Sequence, residues 1–488
     1  MNYLAILGFT ILTIIGLIIL FISTIIKVLN DIFNSITIPQ IGSIELDPKD
    51  TQNNILFKTF PQLAKVVPWI KLGDYPTPIH KASIPSLNIK FYLKREDLCS
   101  PKYGGNKVRA LQYSLAICQL HSQKHPKAQF HVMGSGGSNQ AISTVLFGAL
   151  LGLAIRVGYI KHDLPDLDNT LNFLSVLSFK PQGVITWDHK RTAIREIISA
   201  LYFSKTNDRI FFPGGSSIPG ILGQMEGALE LAYQIQNGEM PDPDRLILPL
   251  GSSCTTTGLI LGICLARKLG IDAFKSLKFK LVSVAIDKGL AALHRKTGIY
   301  KSMFGKVLPM TPLFGITKVC GFLTPLIGID LYQDAVDFIH QEWEFVTDEK
   351  YVGHYGSHTE ISKQAAKYDS ELNIKGDYPQ WITNPPIPWL CGHFTAKAFA
   401  VLLDHLQSTN HKDDIVLFWQ TKSHVQPVSS QQTEWIVYKD LIKQSVELQE
   451  WSDKGISQSV LRPGKVDYQN GTPNDYRHLM KEIEMSLN

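Results

Sequence analysis

The chain has 488 residues, 19% of them charged, with a formal net charge of +5. That length supports two or three domains with sizeable cores, and the near-neutral balance, with no basic stripe carrying interleaved aromatics, gives no nucleic-acid footprint. The six cysteines, at 99, 118, 254, 264, 320 and 391, form neither a CxxC pair nor a zinc spacing and read as reduced core or site residues of a reducing compartment.

In chain order, the first segment stands apart. Tyr3 to Ile26 carries no charge over 24 residues. At about 1.5 Å per helical residue this exceeds the roughly 30 Å of a bilayer core, so a transmembrane anchor over 1–30 is expected. A cleaved signal peptide, whose apolar region is normally about 7–15 residues, is the rival, with a buried helix the third reading. Lys27 on the C-terminal side leans toward a cytoplasmic body. Residues 31–70, with Pro39, Pro48 and a TQNN stretch, read as a linker. Strand and helix signals then alternate: FYLK (91–94), a helix over 107–121, FHVMG (130–134), a helix over 140–152, AIRVGYI (154–160), RIFFPGG (209–215), a helix over 220–235, RLILPLG (245–251), a helix over 257–270, KLVSVAI (280–286) and DIVLFWQT (414–421). This alternation predicts an α/β architecture with parallel sheets. Glycine-rich turns at 134–139, 213–217 and 251–258 fall where strands end, the place such sheets bind ligands. The stretch from 429 to 488 turns polar and amphipathic, then turn-rich, and reads as an appended element packed on the body or a partner-binding tail.

Three features carry chemistry. In GGNKVR, Gly104 and Gly105 let the backbone bend tightly, and Lys107 follows at a loop-to-helix junction near the positive end of a helix dipole. A depressed pKa there suits a nucleophilic or Schiff-base lysine, although a lysine after glycines is by itself usually a solvated helix start. In GSGGSNQ (134–140), backbone amides and the side chains of Ser138, Asn139 and Gln140 converge at a helix N-terminus, a cradle for a carboxylate or a plain capped turn. In GSSCTTTG (251–258), small residues and hydroxyls let several amides surround a phosphate. No lysine follows the last glycine, so it is not a P-loop. A lysine for covalent attachment, a carboxylate cradle and a separate phosphate cradle together are what pyridoxal 5'-phosphate requires.

LGDYPTPIHKASIPSLNIKFYLKREDL followed by GGNKVRAL and SNQ resembles the 1-aminocyclopropane-1-carboxylate deaminase / D-cysteine desulfhydrase family over about 71–425. The resemblance implies a tryptophan synthase β-like fold (fold type II) of two α/β domains over 71–428, the smaller from about 106–200 and the larger from 71–105 with 201–428. It implies that Lys107 holds the cofactor covalently and acts as base, with Asn106 beside it. Asn139 would face the cofactor's 3-hydroxyl. Ser138, Asn139 and Gln140 would hold the substrate carboxylate, with Ser138 a candidate in proton transfer. Ser253, Cys254, Thr255, Thr256, Thr257 and Gly258 would hold the phosphate. Tyr355 matches an active-site tyrosine, and Thr395 the position facing the pyridine nitrogen, where a neutral hydroxyl favours elimination chemistry.

The chain departs from that pattern. Cys391, Gly392, His393 and Phe394 stand where the family shows DPVY, so Phe394 removes a phenol that could serve as acid, base or nucleophile. Ser253 and Cys254 replace loop glycines. Thr421, Lys422 and Ser423 replace TGG, and Lys422 could crowd the cofactor or add a charge. Gln140 leans toward the deaminases and Thr395 toward the desulfhydrases. The resulting expectation is a membrane-tethered enzyme releasing ammonia and a 2-oxo acid from a small amino acid. The alternatives are a non-catalytic scaffold or sensor at a membrane, and a serine or threonine dehydratase or a synthase of the same fold. Family analogy also suggests a homodimer.

Overall fold

The computed structural model describes residues 53–425, apart from 136–137, 161–171, 174, 177–178, 180, 188–206, 212, 296–310, 356–357 and 393, together with 13, 15–17 and 19–24. Residues 31–52, His393 and the extension over 429–488 lie outside them.

Among the described residues no helix is long and apolar enough to cross a membrane. The expected transmembrane anchor, and the membrane-held placement of the body drawn from it, are corrected accordingly. A run of uncharged residues measures composition, whereas spanning also requires continuous helix length. The described part of the expected linker is also different. Ile55–Thr59 forms a short helix whose start is capped by the Asn54 side chain, and Leu56, Phe57 and Trp69 are buried. Those residues therefore belong to the packed body.

Eleven strands build two sheets among the described residues. The larger contains β1 (Ile79–Ile84), β2 (Ile89–Lys94), β7 (Arg245–Leu250), β8 (Lys280–Ala285), β9 (Trp343–Val346), β10 (Asn373–Lys375) and β11 (Val416–Trp419), in the order β10-β1-β2-β11-β7-β8-β9. From β2 to β9 the pairing is parallel, while β1 runs antiparallel to both β2 and β10. The smaller sheet contains β3 (Phe130–Ser135), β4 (Ile155–Ile160), β5 (Gly183–Trp187) and β6 (Arg209–Phe211), all parallel, in the order β5-β4-β3-β6. The helices that matter for the site are α1 (Lys107–Lys124), α2 (Asn139–Leu150), α3 (Ile218–Gln236), α4 (Cys254–Lys268) and α5 (Thr395–Gln407).

The two-residue period of the strands explains why the large sheet is covered on both faces. Leu246, Leu248, Leu417 and Trp419 pack into one core with α3 and α4, while Ile247, Val416 and Phe418 point into another with Phe399, Leu402 and Leu403 of α5. Helices α3 and α4 are buried nearly all round, as helices sandwiched between layers must be. All six cysteines are buried and free.

The parallel strands place five segments together in the sequence sense. Chain leaving β2 enters KREDL and GGNK, chain leaving β3 enters Ser138–Gln140, and chain leaving β6 enters Pro213–Gly215. Chain leaving β7 enters 251–253, and chain leaving β11 enters 420–423. Each segment follows the carboxyl end of its strand, where loops are free to vary without disturbing the sheet.

Candidate active site

Lys107 is the first residue of α1, and the turn before it is clamped on two sides. Gly105 donates its N–H to the Glu96 carbonyl at 2.8 Å, Gly104 donates to Ser423 Oγ at 3.0 Å, and Asn106 donates to the Thr421 carbonyl at 3.3 Å. A side chain at Gly104 would collide with the Asp97 carbonyl. Gly105 has φ +100, and a Cβ there would sit 2.6 Å from the Thr421 carbonyl oxygen. Glycine is required at both positions, one for close approach and the other for conformation as well. Lys107 itself is half-buried, and its Nζ donates to the Gly214 carbonyl at 3.1 Å. Burial pushes its ammonium pKa down, an effect that nearby Cys254 partly opposes. The direction is the one read from the sequence, but the cause is desolvation rather than the helix dipole.

The clamp rests on a buried ionic network. Lys94, Arg95, Glu96 and Asp97 are fully buried. Arg109, in the first turn of α1, grips Glu96 with Nε to Oε2 at 2.7 Å and Nη2 to Oε1 at 2.9 Å, and reaches Glu230 Oε1 at 2.9 Å. Lys94 Nζ reaches the same Glu230 oxygen at 2.6 Å, and Arg95 forks onto Asp97 at 2.9 and 2.8 Å. A neighbouring carboxyl, Glu226, behaves differently. Burial pushes its pKa up to about 7, offset in part by Arg109, and it accepts from Tyr113 Oη at 3.0 Å.

That shift has a pH consequence. The folded pKa of Glu226 exceeds the unfolded value, so the folded state binds more protons between the two, and stability falls as pH rises through that window. Glu226 is expected to contribute a loss on the order of 2–3 kcal/mol between pH ~5 and pH ~8 in urea unfolding, set against an opposing gain from His80, His405 and His424, whose pKa values burial lowers. Glu226→Gln should remove the Glu226 contribution.

The Gly214–Gly215 strap joins the cofactor-type motifs. Besides accepting from Lys107, it lies against the 251–258 loop. A side chain at Gly214 would strike Ser252 Oγ, and Cys254 Sγ donates to the Gly215 carbonyl at 3.2 Å. A Cβ at Gly215 would stand 3.6 Å from Gln140 Nε2. Asn106 Nδ2 donates to Thr255 Oγ1 at 2.8 Å. Lys107, Asn106, Gln140, Cys254 and Thr255 are thereby brought together around two glycines that were read only as a turn. Ser253 precedes α4 with φ +67, a left-handed conformation that costs a residue with a Cβ about 1–2 kcal/mol. Thr256 Oγ1 meets Ser283 Oγ at 3.0 Å, and Thr257 is fully buried on the helix side. Gly258 sits one turn into α4, where a Cβ would collide with Gln224 of α3. Burial raises the Cys254 thiol to about 12, which makes it an inert packing group.

At the start of α2, Ser138 caps the helix by accepting from the Ala141 N–H at 3.2 Å. Asn139 Oδ1 accepts from Tyr103 Oη at 3.2 Å, Asn172 Nδ2 at 3.3 Å and Lys422 Nζ at 3.1 Å. Lys422 is 1% exposed and lies 4.3 Å over the Trp389 ring. Thr395, the first residue of α5, donates to the Trp389 carbonyl at 2.9 Å, and Gln420 Nε2 donates to the same oxygen at 3.0 Å. Thr395, Trp389, Lys422 and Asn139 therefore form one connected cluster. Tyr355 joins only at its margin. Its ring meets Phe394 edge-on at 6.1 Å, and its N–H donates to Asp287 Oδ2 at 3.0 Å. Tyr103, Trp389, Asn172 and the Gly214–Gly215 pair were not singled out from the sequence. Tyr103 stands just before the GGNK turn and the glycine pair just after a strand, so position gave a signal for these. Nothing local marks Asn172 or Trp389.

Residues 70–293 match the family model described as pyridoxal-phosphate dependent enzyme. The chain carries a pyridoxal-phosphate dependent enzyme domain. Its cofactor is pyridoxal 5'-phosphate. The chain is 30% identical over 223 residues to a putative 1-aminocyclopropane-1-carboxylate deaminase of Pyrococcus horikoshii, covering 43% of this chain and 63% of that protein. It is 25% identical over 231 residues to a protein of the same description from Pyrococcus abyssi, covering 44% and 64%. A D-cysteine desulfhydrase of Salmonella paratyphi B is 24% identical over 304 residues, covering 59% and 85%. The chain thus spans somewhat less than two thirds of the length of the two Pyrococcus relatives.

The residues present fit pyridoxal phosphate. The first-turn amides of α4 lack acceptors within the helix and suit a phosphate dianion. The strap glycines let the 251–258 loop and Lys107 approach the same backbone closely, since a side chain at Gly214 would strike Ser252. The one amine at this junction has its pKa lowered, as covalent attachment to an aldehyde requires.

Proposed function

We propose that this domain is a deaminase or lyase acting on a small amino acid and releasing ammonia and a 2-oxo acid, of the 1-aminocyclopropane-1-carboxylate deaminase or D-cysteine desulfhydrase kind. The observation that carries the reading is the placement of Lys107, held to the Gly214 carbonyl between the 251–258 loop and Gln140.

The bound cofactor supplies an electron sink for the charge left on a substrate carbon that loses a proton. In this reading Lys107, desolvated and so easily neutral, takes that proton and returns it. Ser138, Asn139 and Gln140 at the N-terminus of α2 bind the substrate carboxylate, a position favoured by the helix dipole. Residues 253–258 fix the phosphate, and Asn106 steadies the loop through Thr255. Thr395 faces the pyridine nitrogen with a neutral hydroxyl already tied to Trp389, so no charge is offered there. Tyr355 closes the substrate side against Phe394, which lacks the phenol of the family pattern. The segment over about 106–200 forms the smaller of two domains that close over the substrate and exclude water.

The test is release of ammonia and 2-oxo acid by purified protein supplied with pyridoxal phosphate. The panel contains D-cysteine, 1-aminocyclopropane-1-carboxylate, L-serine and L-threonine. Turnover of either of the first two supports the reading. Turnover of only L-serine or L-threonine transfers the domain to the dehydratases. No turnover of any of the four, with cofactor bound, rejects the lyase reading in favour of a non-catalytic one.

A further inference from the structure

Lys422 stands where the resemblance leads one to expect glycine, and its surroundings are specific. Its three ammonium hydrogens have three acceptors: Tyr103 Oη at 3.2 Å, Asn139 Oδ1 at 3.1 Å and Asn172 Oδ1 at 3.0 Å. The charge lies over the Trp389 face at 4.3 Å, a favourable site for a desolvated cation. The stem is buried, and the backbone on either side is pinned. The Lys422 carbonyl accepts from Gln420 Nε2 at 3.1 Å, and Ser423 Oγ accepts from the Gly104 N–H. This lysine is a built hub rather than a tolerated intrusion.

The hub decides which way the Asn139 amide points. A carbonyl oxygen accepts and an NH2 donates. Three donors, from Lys422, Tyr103 and Asn172, converge on Oδ1. Rotating the amide by half a turn would bring its NH2 against an ammonium, which accepts nothing. The Nδ2 hydrogens must therefore face away from Lys422.

We propose that Lys422 is a positioning residue: it locks Asn139 so that Nδ2 is presented to the 3-oxygen of pyridoxal phosphate, and it places a buried positive charge behind that contact. The inference rests on the proposed site, which puts Asn139 beside that oxygen. It assigns to Lys422 a part in recognising the cofactor's 3-oxygen as an anion, through a charge-backed hydrogen bond.

The test compares binding of pyridoxal phosphate and its 3-O-methyl ether to the apo-protein, by equilibrium dialysis, in the parent, Lys422→Met and Lys422→Gln. Borohydride fixation is the separate check that the natural cofactor occupies the site. The parent is expected to prefer the natural cofactor by about tenfold, the worth of one hydrogen bond to a charged group. In both variants the preference should fall to within about twofold while fixation persists, since removing the charge and freeing the amide removes the discrimination. A merely structural lysine would weaken both ligands equally, so an unchanged preference in the variants overturns the inference and leaves the proposed function standing. A parent that binds both ligands alike overturns it without recourse to any variant. A parent that takes up no pyridoxal phosphate at all removes the proposed site and the inference together. Should Lys422→Met fail to fold, Lys422→Gln, which is polar but uncharged and one bond too short to reach the same three acceptors, is read by the same criteria.

Discussion

Lys107→Ala is expected to yield a folded protein that retains no cofactor through borohydride reduction and loses activity by about 10³-fold or more. The folded state should survive because little of it depends on this side chain. Lys107 opens α1, where alanine is an excellent helix residue. Its one described hydrogen bond is to the Gly214 carbonyl, and the loss is partly offset because a desolvated ammonium disappears with it. Chemistry should be lost because the other elements of the site offer no substitute amine at the strap. Visible absorbance of the reconstituted protein, followed by mass analysis of the reduced peptide, reads the result directly. The parent should carry the added mass on the peptide containing Lys107. If Lys107→Ala is still labelled, and the label falls on the peptide containing Lys422, the second buried lysine is the carrier and the assignment of Lys107 is wrong.

The largest effect on stability is expected at Arg109. Arg109→Met should cost roughly 3–5 kcal/mol, because the substitution leaves two buried carboxylates facing each other without the cation between them. Glu96 would lose both guanidinium bonds and keep the Thr77 hydroxyl at 2.7 Å, and Glu230 would retain Lys94 and Thr77. The guanidinium also lies 4.0 Å over the Tyr75 ring, so part of the cost is lost stacking. Urea unfolding, checked for unchanged slope, measures it. Cofactor retention should weaken in the same variant, since the Glu96 carbonyl holds Gly105 and Asp97 crowds Gly104 immediately before Lys107. A loss below about 1 kcal/mol would place Arg109 among ordinary surface pairs and dismiss the network as the foundation of the turn.

The parallel strands of the two sheets were legible where the chain is most regular. Strands such as β3, β4, β7 and β8 are short apolar runs ended by glycine or a turn, and helices α1 to α4 follow them at helical period, so boundaries differ by a few residues at most. Most of what was missed has a common cause. Strands β1, β9 and β10 carry a charged residue each, β9 and β10 are short, and they owe their strand state to pairing with distant partners, Lys81 with Lys375 for example, while the uncharged β5 was missed as well. At the site, Lys107 and the Ser138–Gln140 helix start were visible because their roles are written locally, in glycines before a helix. Lys422 was visible only as an oddity. Its meaning comes from Tyr103, Asn139 and Asn172, each at least 250 positions away in the chain. The uncharged run near the N-terminus shows the opposite error, a strong local signal that helix length among the described residues does not support.

Strand β10 has one further consequence. It closes one margin of the seven-stranded sheet with only three residues, Asn373, Ile374 and Lys375, laid antiparallel on β1. An outermost strand is an open template for another chain, and natural sheets guard it by brevity and by lysine. Both devices are present here, with Lys375 facing Lys81 across the last ladder. Self-association that continued the sheet past this margin would gain few main-chain bonds and would bring lysine charges together. Any pairing of two copies is accordingly better sought on helical faces, and the parallel body is shielded on this side from runaway strand addition while it folds.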